Sequence, residues 1–388
     1  MLLSDFRRLD ASALPSPCFV VDEQVIRRNL DILHEVGERS GAKVLAALKA
    51  FSMWSLAPLY HDRVWGTCAS GLHEARLGAQ HYGGEVHAYS AAFGAADLEE
   101  ILTFADHVIF NSCGQWLRFR DRCLAAKKSR PQLEFGLRIN PRHSEGTTPL
   151  YDPCAPGSRL GIPADELTAE ALEGISGLHF HTLCEQPFEP LARTVAAVEA
   201  DFARWLPQMS WINFGGGHHI TAPDYDIDGL VALVQDFSRR HDCQVYLEPG
   251  EAVAIGSGVL VTEVLDVMQS GMHHAIVDTS ATCHMPDTLE MPYRADIIDA
   301  DLPGVLPHTY RIGGLTCLAG DVMGDYSFAQ PLRVGQRLLF ADMAHYTMVK
   351  TSTFNGTRLP AIAIWDPECN DLRVVKTFDY TDFRDRLS

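Results

Sequence analysis

Four residue types at the ends of four short apolar runs define the chemistry this chain could perform. Lys49 follows VLAAL, His181 follows GLHF, Gly215, Gly216 and Gly217 follow WINF, and Glu248 follows QVYL. An amine in an apolar setting (LAALKAF) is desolvated, which lowers its pKa toward the neutral form that attacks a carbonyl. Three successive glycines let backbone N–H groups approach an anion with no Cβ in the way. A carboxylate can hold a heteroaromatic nitrogen protonated, which makes the ring an electron sink, and a histidine can stack on a flat ring. Arg138 in LRIN could donate to a ring hydroxyl. Each residue alone also has a plainer reading. Lys49 could be a strand-end amine reaching water, the glycines a turn, His181 a packed core residue, and Glu248 or Arg138 half of an ion pair. His218 and His219 follow the glycines, but no spaced partner accompanies them to make a metal site.

These groups converge if their runs are strands of one parallel barrel, whose chemistry collects at the C-terminal ends of its strands. Strand-like runs recur at 44–48, 64–67, 86–90, 107–110, 134–139, 177–180, 211–214 and 244–247. Helix-compatible segments lie at 71–81, 95–105, 114–127, 191–206 and 227–241. Eight strands alternating with helices predict a closed (β/α)8 barrel rather than an open doubly wound sheet. The glycine run then follows the seventh strand, where such barrels commonly bind phosphate. After Gly250 the texture changes. Runs at 255–268, 274–278, 309–312, 335–341 and 361–375 are β-rich and separated by Gly and Pro turns. The expected architecture is α/β plus all-β, with a barrel over 23–250 and a β-rich domain over 251–388 joined by residues 1–22. The Pro-rich stretch 141–157 reads as a loop leading to SRLG.

At 388 residues the chain has room for two domains, and its apolar fraction of 46% is that of a globular protein. Thirty-two basic against 50 acidic residues give a net charge of −18, which repels a phosphate backbone and argues against nucleic-acid binding. No run approaches the ~20 apolar residues of a membrane helix. The first residues carry acids and arginines where a signal peptide needs an apolar core, so a cytoplasmic location is expected. The ten cysteines are scattered without a C-x-x-C pair and read as reduced thiols.

The ordered set LKAF, CASG, LRIN, SRLG, HFHT, FGGG, LEPGE, GGLTCLAGD and MAHYTMVKTSTFNG resembles the fold-type III pyridoxal phosphate decarboxylases, and within them the carboxynorspermidine (carboxyspermidine) decarboxylases, over nearly the whole length. The resemblance implies pyridoxal 5'-phosphate as cofactor. Lys49 would hold it covalently, His181 stack on its ring and Arg138 serve the ring hydroxyl. Gly215, Gly216, Gly217 and Tyr346 would bind the phosphate, and Glu248 the ring nitrogen. The substrate would be a carboxylated polyamine. A homodimer would share its active sites, with Cys317 entering from the partner subunit as proton donor. Two departures stand out. Relatives acting on diaminopimelate and ornithine read EPGR where this chain has Glu251, and the acid that often follows the cysteine is replaced by Leu318, leaving Asp321 nearest. Glu251 suits a distal amine better than a carboxylate. Asp287, Glu290 and Asp321 are further candidates for that amine. The alternatives are a diaminopimelate or other basic amino-acid decarboxylase, a racemase on the same barrel, or an inactive homologue that binds a partner.

Overall fold

The computed structural model describes residues 5–146 and 148–388. The chain divides into two compact units, Arg28–Val253, and Ala254–Ser388 with the N-terminal residues as far as Arg27. The first strand, β1 (Cys18–Asp22), belongs to the second of these units.

The unit Arg28–Val253 is a closed barrel of eight parallel strands: β2 (Lys43–Ala47), β3 (Gly66–Ala69), β4 (Glu85–Ser90), β5 (His107–Phe110), β6 (Glu134–Arg138), β7 (Gly177–His179), β8 (Trp211–Asn213) and β9 (Gln244–Leu247). Each strand pairs with the next in sequence, and β9 closes on β2 with Lys43 opposite Tyr246 and Val44 opposite Leu247. Right-handed β-helix-β crossovers enforce this order, since a helix of one or more turns must return the chain to the same edge. The helices Cys113–Ser129, Phe188–Phe202 and Ile227–His241 provide such returns. Two carry side-chain caps: Ser112 accepts the Gln115 N–H, and Asp226 the Gly229 N–H.

Inside the barrel, Leu45, Ile109, Trp211 and Tyr246 form the central apolar layer. The Trp211 indole fits because its neighbours on β6 and β7 are glycines. A Cβ on Gly177 would lie 2.0 Å from the ring, and one on Gly136 2.4 Å. The N-terminal ends of the strands are closed by a polar cluster. Glu85 accepts from Lys43 Nζ (2.6 Å), Trp65 Nε1 (2.9 Å) and Tyr246 Oη (3.1 Å), and pairs with His87 Nε2 at 3.0 Å. His87 and His107 stack with centroids 3.9 Å apart. Donor atoms of Glu85, His87 and His107 lie within 4.8 Å of one another. The carboxylate already takes four protein donors and the two imidazoles are nearly parallel, so their nitrogens do not converge on one point as cation ligands would.

The other unit is built on a mixed sheet ordered β12-β14-β13-β11-β10-β1-β16-β17, with β15 also on β10. Its strands are β10 (Gly258–Ser270), β11 (Met272–Val277), β12 (Ala300–Asp301), β13 (His308–Gly313), β14 (Val322–Phe328), β15 (Arg337–Ala341), β16 (Ala361–Asp366) and β17 (Asp371–Lys376). β10 is long enough to serve two neighbourhoods: its first half pairs with β1 and β15, its second with β11 across a turn at Gly271. Phe19, Leu260, Ile312, Tyr326 and Phe340 are among the residues of its main core.

No helix among the described residues is long and apolar enough to cross a membrane. All ten cysteines are free.

Candidate active site

The barrel brings Lys49, His181, the three glycines and Glu248 together because each stands just past the C-terminal end of a strand. Lys49 follows β2 in a turn held by the Leu48 N–H on Cys68 O (3.0 Å) and the Ala47 N–H on Pro249 O (2.9 Å). Its Nζ lies 3.2 Å from His181 Nε2. On its other side, His181 Nδ1 accepts the Gly216 N–H at 3.1 Å. A backbone N–H can only donate, so Nδ1 is the unprotonated nitrogen and Nε2 carries the hydrogen. That hydrogen faces the lysine, and only an uncharged amine has a lone pair to receive it. The electrostatics agree. Burial pushes the Lys49 pKa down. Burial above all, with the Arg138 guanidinium adding to it, pushes His181 well below the usual imidazole range. The pair is neutral, which is the state a carbonyl-attacking lysine needs.

Glu248 follows β9. Asn213 Nδ2 donates to one carboxylate oxygen at 2.7 Å, and His179 Nε2 lies 3.1 Å from the other. Burial alone would raise this carboxyl group, but His179 and Asn213 outweigh it and hold its pKa at about 2. Burial pushes the His179 pKa down, and Glu248 opposes that shift. Glu248 is therefore a buried anion held by His179 and Asn213, and no Lys or Arg among the described residues forms an ion pair with it. Such a group fits a protonated ring nitrogen.

The glycine loop is shaped by close approach. Gly215 and Gly217 have φ of +69° and +86°, and a Cβ on any of the three would lie within 2.4 Å of a backbone carbonyl oxygen. The Gly215 N–H is committed to Asn213 Oδ1 (2.8 Å) and the Gly216 N–H to His181, so the Gly217 N–H alone of the three is without a hydrogen-bond partner among the described residues. The free donor and the absence of side chains suit a phosphate. His218 is tied to Tyr225 (Nδ1 to Oη 2.6 Å), and His219 Nε2 is 3.4 Å from Glu251.

Arg138, buried in β6, forms no ion pair among the described residues. It donates to His181 O at 2.8 Å and lies over the Tyr89 ring, 4.8 Å from its centroid. Tyr89 Oη donates to Asn111, which also accepts the Gly161 N–H, both at 2.8 Å, and so fastens the SRLG segment.

Sequence reasoning missed His179, Asn213, Tyr89 and Asn111. The first had a usable signal. In a strand residues i and i+2 share a face, so any argument placing His181 toward the interior also applies to His179.

In the sheet unit, three acidic candidates for a substrate amine are already engaged. Asp321 is buried, and its carboxylate accepts from Ser280 Oγ (2.9 and 3.0 Å), Thr316 N and Oγ1 (3.1 and 2.7 Å) and Thr282 N (3.3 Å). These contacts organise the loop that carries Cys317. Asp287 and Glu290 both pair with Lys350, the latter at 2.7 Å, so one of their two negative charges is balanced within the chain. Cys317 is exposed, with its N–H on Asn355 Oδ1 at 2.8 Å. Tyr346 has φ of +50° and opens the turn that leads to Lys350, whose N–H donates to Tyr346 O at 3.1 Å.

The family model described as pyridoxal-dependent decarboxylase, C-terminal sheet domain, matches residues 18–344. The chain belongs to the pyridoxal-dependent decarboxylase family. Its cofactor is pyridoxal phosphate, and its reaction class is decarboxylation. This decarboxylase is 43% identical to the carboxyaminopropylagmatine decarboxylase of Synechocystis sp., over 97% of this chain and 96% of that one. It is 40% identical to the carboxynorspermidine/carboxyspermidine decarboxylase of Campylobacter jejuni, over 95% and 98%. The crystal structure of carboxynorspermidine decarboxylase complexed with norspermidine, from the same organism, superposes with a TM-score of 0.87 at 38% identity, covering 96% of this chain and all (100%) of that one.

Proposed function

We propose that this enzyme decarboxylates carboxynorspermidine and carboxyspermidine in polyamine biosynthesis, releasing norspermidine and spermidine. The observation that carries the reading is 40% identity, end to end, with a protein of that named activity. Glu251 in place of the arginine of EPGR relatives agrees with it, because a distal carboxylate near Glu251 meets a like charge and a distal ammonium an opposite one.

Pyridoxal phosphate, when bound, supplies the electron sink that takes up the bond pair left by departing CO2. Lys49 would hold its aldehyde carbon, Glu248 its ring nitrogen and the loop Gly215–Gly217 its phosphate, with Tyr346 a further phosphate ligand by the family resemblance. His181 would stack on the ring and Arg138 would serve the ring oxygen. The neutral state of the Lys49–His181 pair supports these roles, as does the permanent charge of Glu248. Cys317 returns a proton to the substrate's α-carbon. Glu251 receives the distal amine.

Cys317 serves the active site of a second copy in a homodimer. Support comes from its exposure beside Leu315, Leu318 and Phe354, apolar side chains that are 43%, 46% and 45% exposed and would be covered by such a partner. A cytoplasmic location suits the ten unpaired thiols.

A second reading, carboxyaminopropylagmatine as substrate, is favoured by the 43% identity to the Synechocystis protein. One panel separates the two. Amine release is measured from carboxynorspermidine, carboxyspermidine, carboxyaminopropylagmatine, diaminopimelate, ornithine and arginine. The proposal expects the first pair to lead in kcat/KM; a lead by the third supports the second reading, and a lead by diaminopimelate or an amino acid overturns both.

A further inference from the structure

The two ends of the cofactor site are joined through one side chain. Asn213, the last residue of β8, has no exposed surface. Its amide is oriented without ambiguity. The Gly215 N–H can only donate, so the atom facing it at 2.8 Å is Oδ1; the charged Glu248 carboxylate can only accept, so the atom facing it at 2.7 Å is Nδ2. The amide is planar and rigid, and it therefore fixes the first turn of the glycine loop relative to the carboxylate. Both contacts lie inside the barrel, and the carboxylate oxygen that Asn213 meets keeps a second lone pair for a further donor.

We propose that Asn213 is a positioning residue that couples phosphate binding at the glycine loop to ring-nitrogen binding at Glu248. The inference rests on the assignment of those two subsites to pyridoxal phosphate. A backbone link runs in parallel, since the Glu248 N–H donates to Gly215 O at 2.7 Å. Truncating side chains leaves that link in place, so the side-chain route can be measured separately.

The coupling is read from the apoenzyme as the ratio of dissociation constants for pyridoxal and pyridoxal phosphate, which isolates the contribution of the phosphate. Glu248→Ala removes the carboxylate that anchors Asn213, and should lower this ratio by at least about threefold through a loosened glycine loop. In an Asn213→Ala background the same Glu248→Ala change should leave the ratio unmoved. Asn213→Leu supplies the second arm: it nearly keeps the volume but removes both the oxygen that meets the Gly215 N–H and the donor to Glu248. Amide hydrogen exchange at Gly215 in the cofactor-free protein should therefore speed up in Asn213→Ala and in Asn213→Leu. If Asn213→Ala does not fold, the Glu248→Ala comparison in Asn213→Leu reads the same coupling. The proposal is overturned if Glu248→Ala changes the ratio equally with and without Asn213, or leaves it unchanged in the wild-type background. A wild-type apoenzyme that binds pyridoxal and pyridoxal phosphate equally would instead refute the phosphate subsite, while the exchange measurement would still test the Asn213–Gly215 contact.

Discussion

Gly216→Ala is the sharpest test of the barrel site, because Gly216 lacks the left-handed φ of its neighbours and an added methyl acts by size alone. The new Cβ would sit 2.1 Å from Glu248 O and 2.9 Å from Glu248 C. Backbone atoms cannot rotate away, so the loop and the segment after β9 must separate by at least about 1.3 Å to reach an ordinary contact, and overpacking of this kind costs ~1–3 kcal/mol. The expected loss is about 1–3 kcal/mol, shared between folding and cofactor binding. Denaturant unfolding of the apoenzyme reads the first share. Titration with pyridoxal phosphate reads the second, and a shift of about tenfold in Kd corresponds to 1.4 kcal/mol. Gly114→Ala is the control. No heavy atom lies within 4 Å of its added Cβ and its φ is not left-handed, so in the first turn of helix Cys113–Ser129 it should be neutral or stabilise by up to about 1 kcal/mol. If Gly216→Ala matches wild type within about 0.5 kcal/mol in unfolding and keeps its cofactor affinity, the packing of the loop on Glu248 is wrong.

Lys49→Ala should abolish turnover and the covalent attachment of cofactor, checked by mass spectrometry after borohydride reduction; a labelled peptide from any other lysine would refute the assignment. Mixing inactive Lys49→Ala and Cys317→Ala chains should restore part of the activity if Cys317 works across a dimer, and no recovery despite demonstrated subunit exchange would count against a shared site. Acid should destabilise the fold through histidines that burial keeps neutral: His107, His218 and His284 are lowered to about 2, 3 and 4. Below the unfolded value near 6.5 the unfolded chain binds protons that the folded chain refuses, so stability falls as pH falls. Each histidine contributes a slope of up to about 1.4 kcal/mol per pH unit, or about 4 for the three, until pH reaches the folded values. Glu248 adds a loss between about 4.5 and about 2. Unfolding free energies that are flat from pH 7 to 5 would contradict this.

All eight barrel strands were legible in the sequence to within two residues, because buried parallel strands leave short apolar runs between polar crossovers. The helix Glu23–Ser40 was not singled out, although Val25, Ile26, Leu30, Leu33 and Val36 mark its buried face; the many charges between them mask the period. β1 and β14 were also missed. β1 gains its place by pairing with β10 and β16, more than 200 residues away, and β14 is interrupted by Gly324 and by Asp325, which pairs with Arg311 at 2.7 Å. The site divides along the same line. Lys49, His181 and Glu248 were legible because a strand end is a local feature. The pairing of Asn213 and His179 with Glu248 was not, since that shared partner lies 35 and 69 residues away. Asp287, Glu290 and Asp321 looked like open acids because Lys350 and Ser280, which engage them, are 63, 60 and 41 residues distant.

The seating of Trp211 against Gly136 and Gly177 carries an implication for how such a barrel can diverge. The bulk of that interior layer is concentrated on one strand, and two neighbouring strands give up their side chains to receive it. A larger residue at either glycine collides with the indole, while a smaller residue at Trp211 opens a void and frees Glu134, which accepts the indole N–H at 2.7 Å. Each single step is unfavourable, yet a compensated exchange of all three can conserve volume. The three positions are thus locked by mutual contingency: a lineage that once adopted this arrangement leaves it only by concerted replacement, whatever substrate its loops come to prefer.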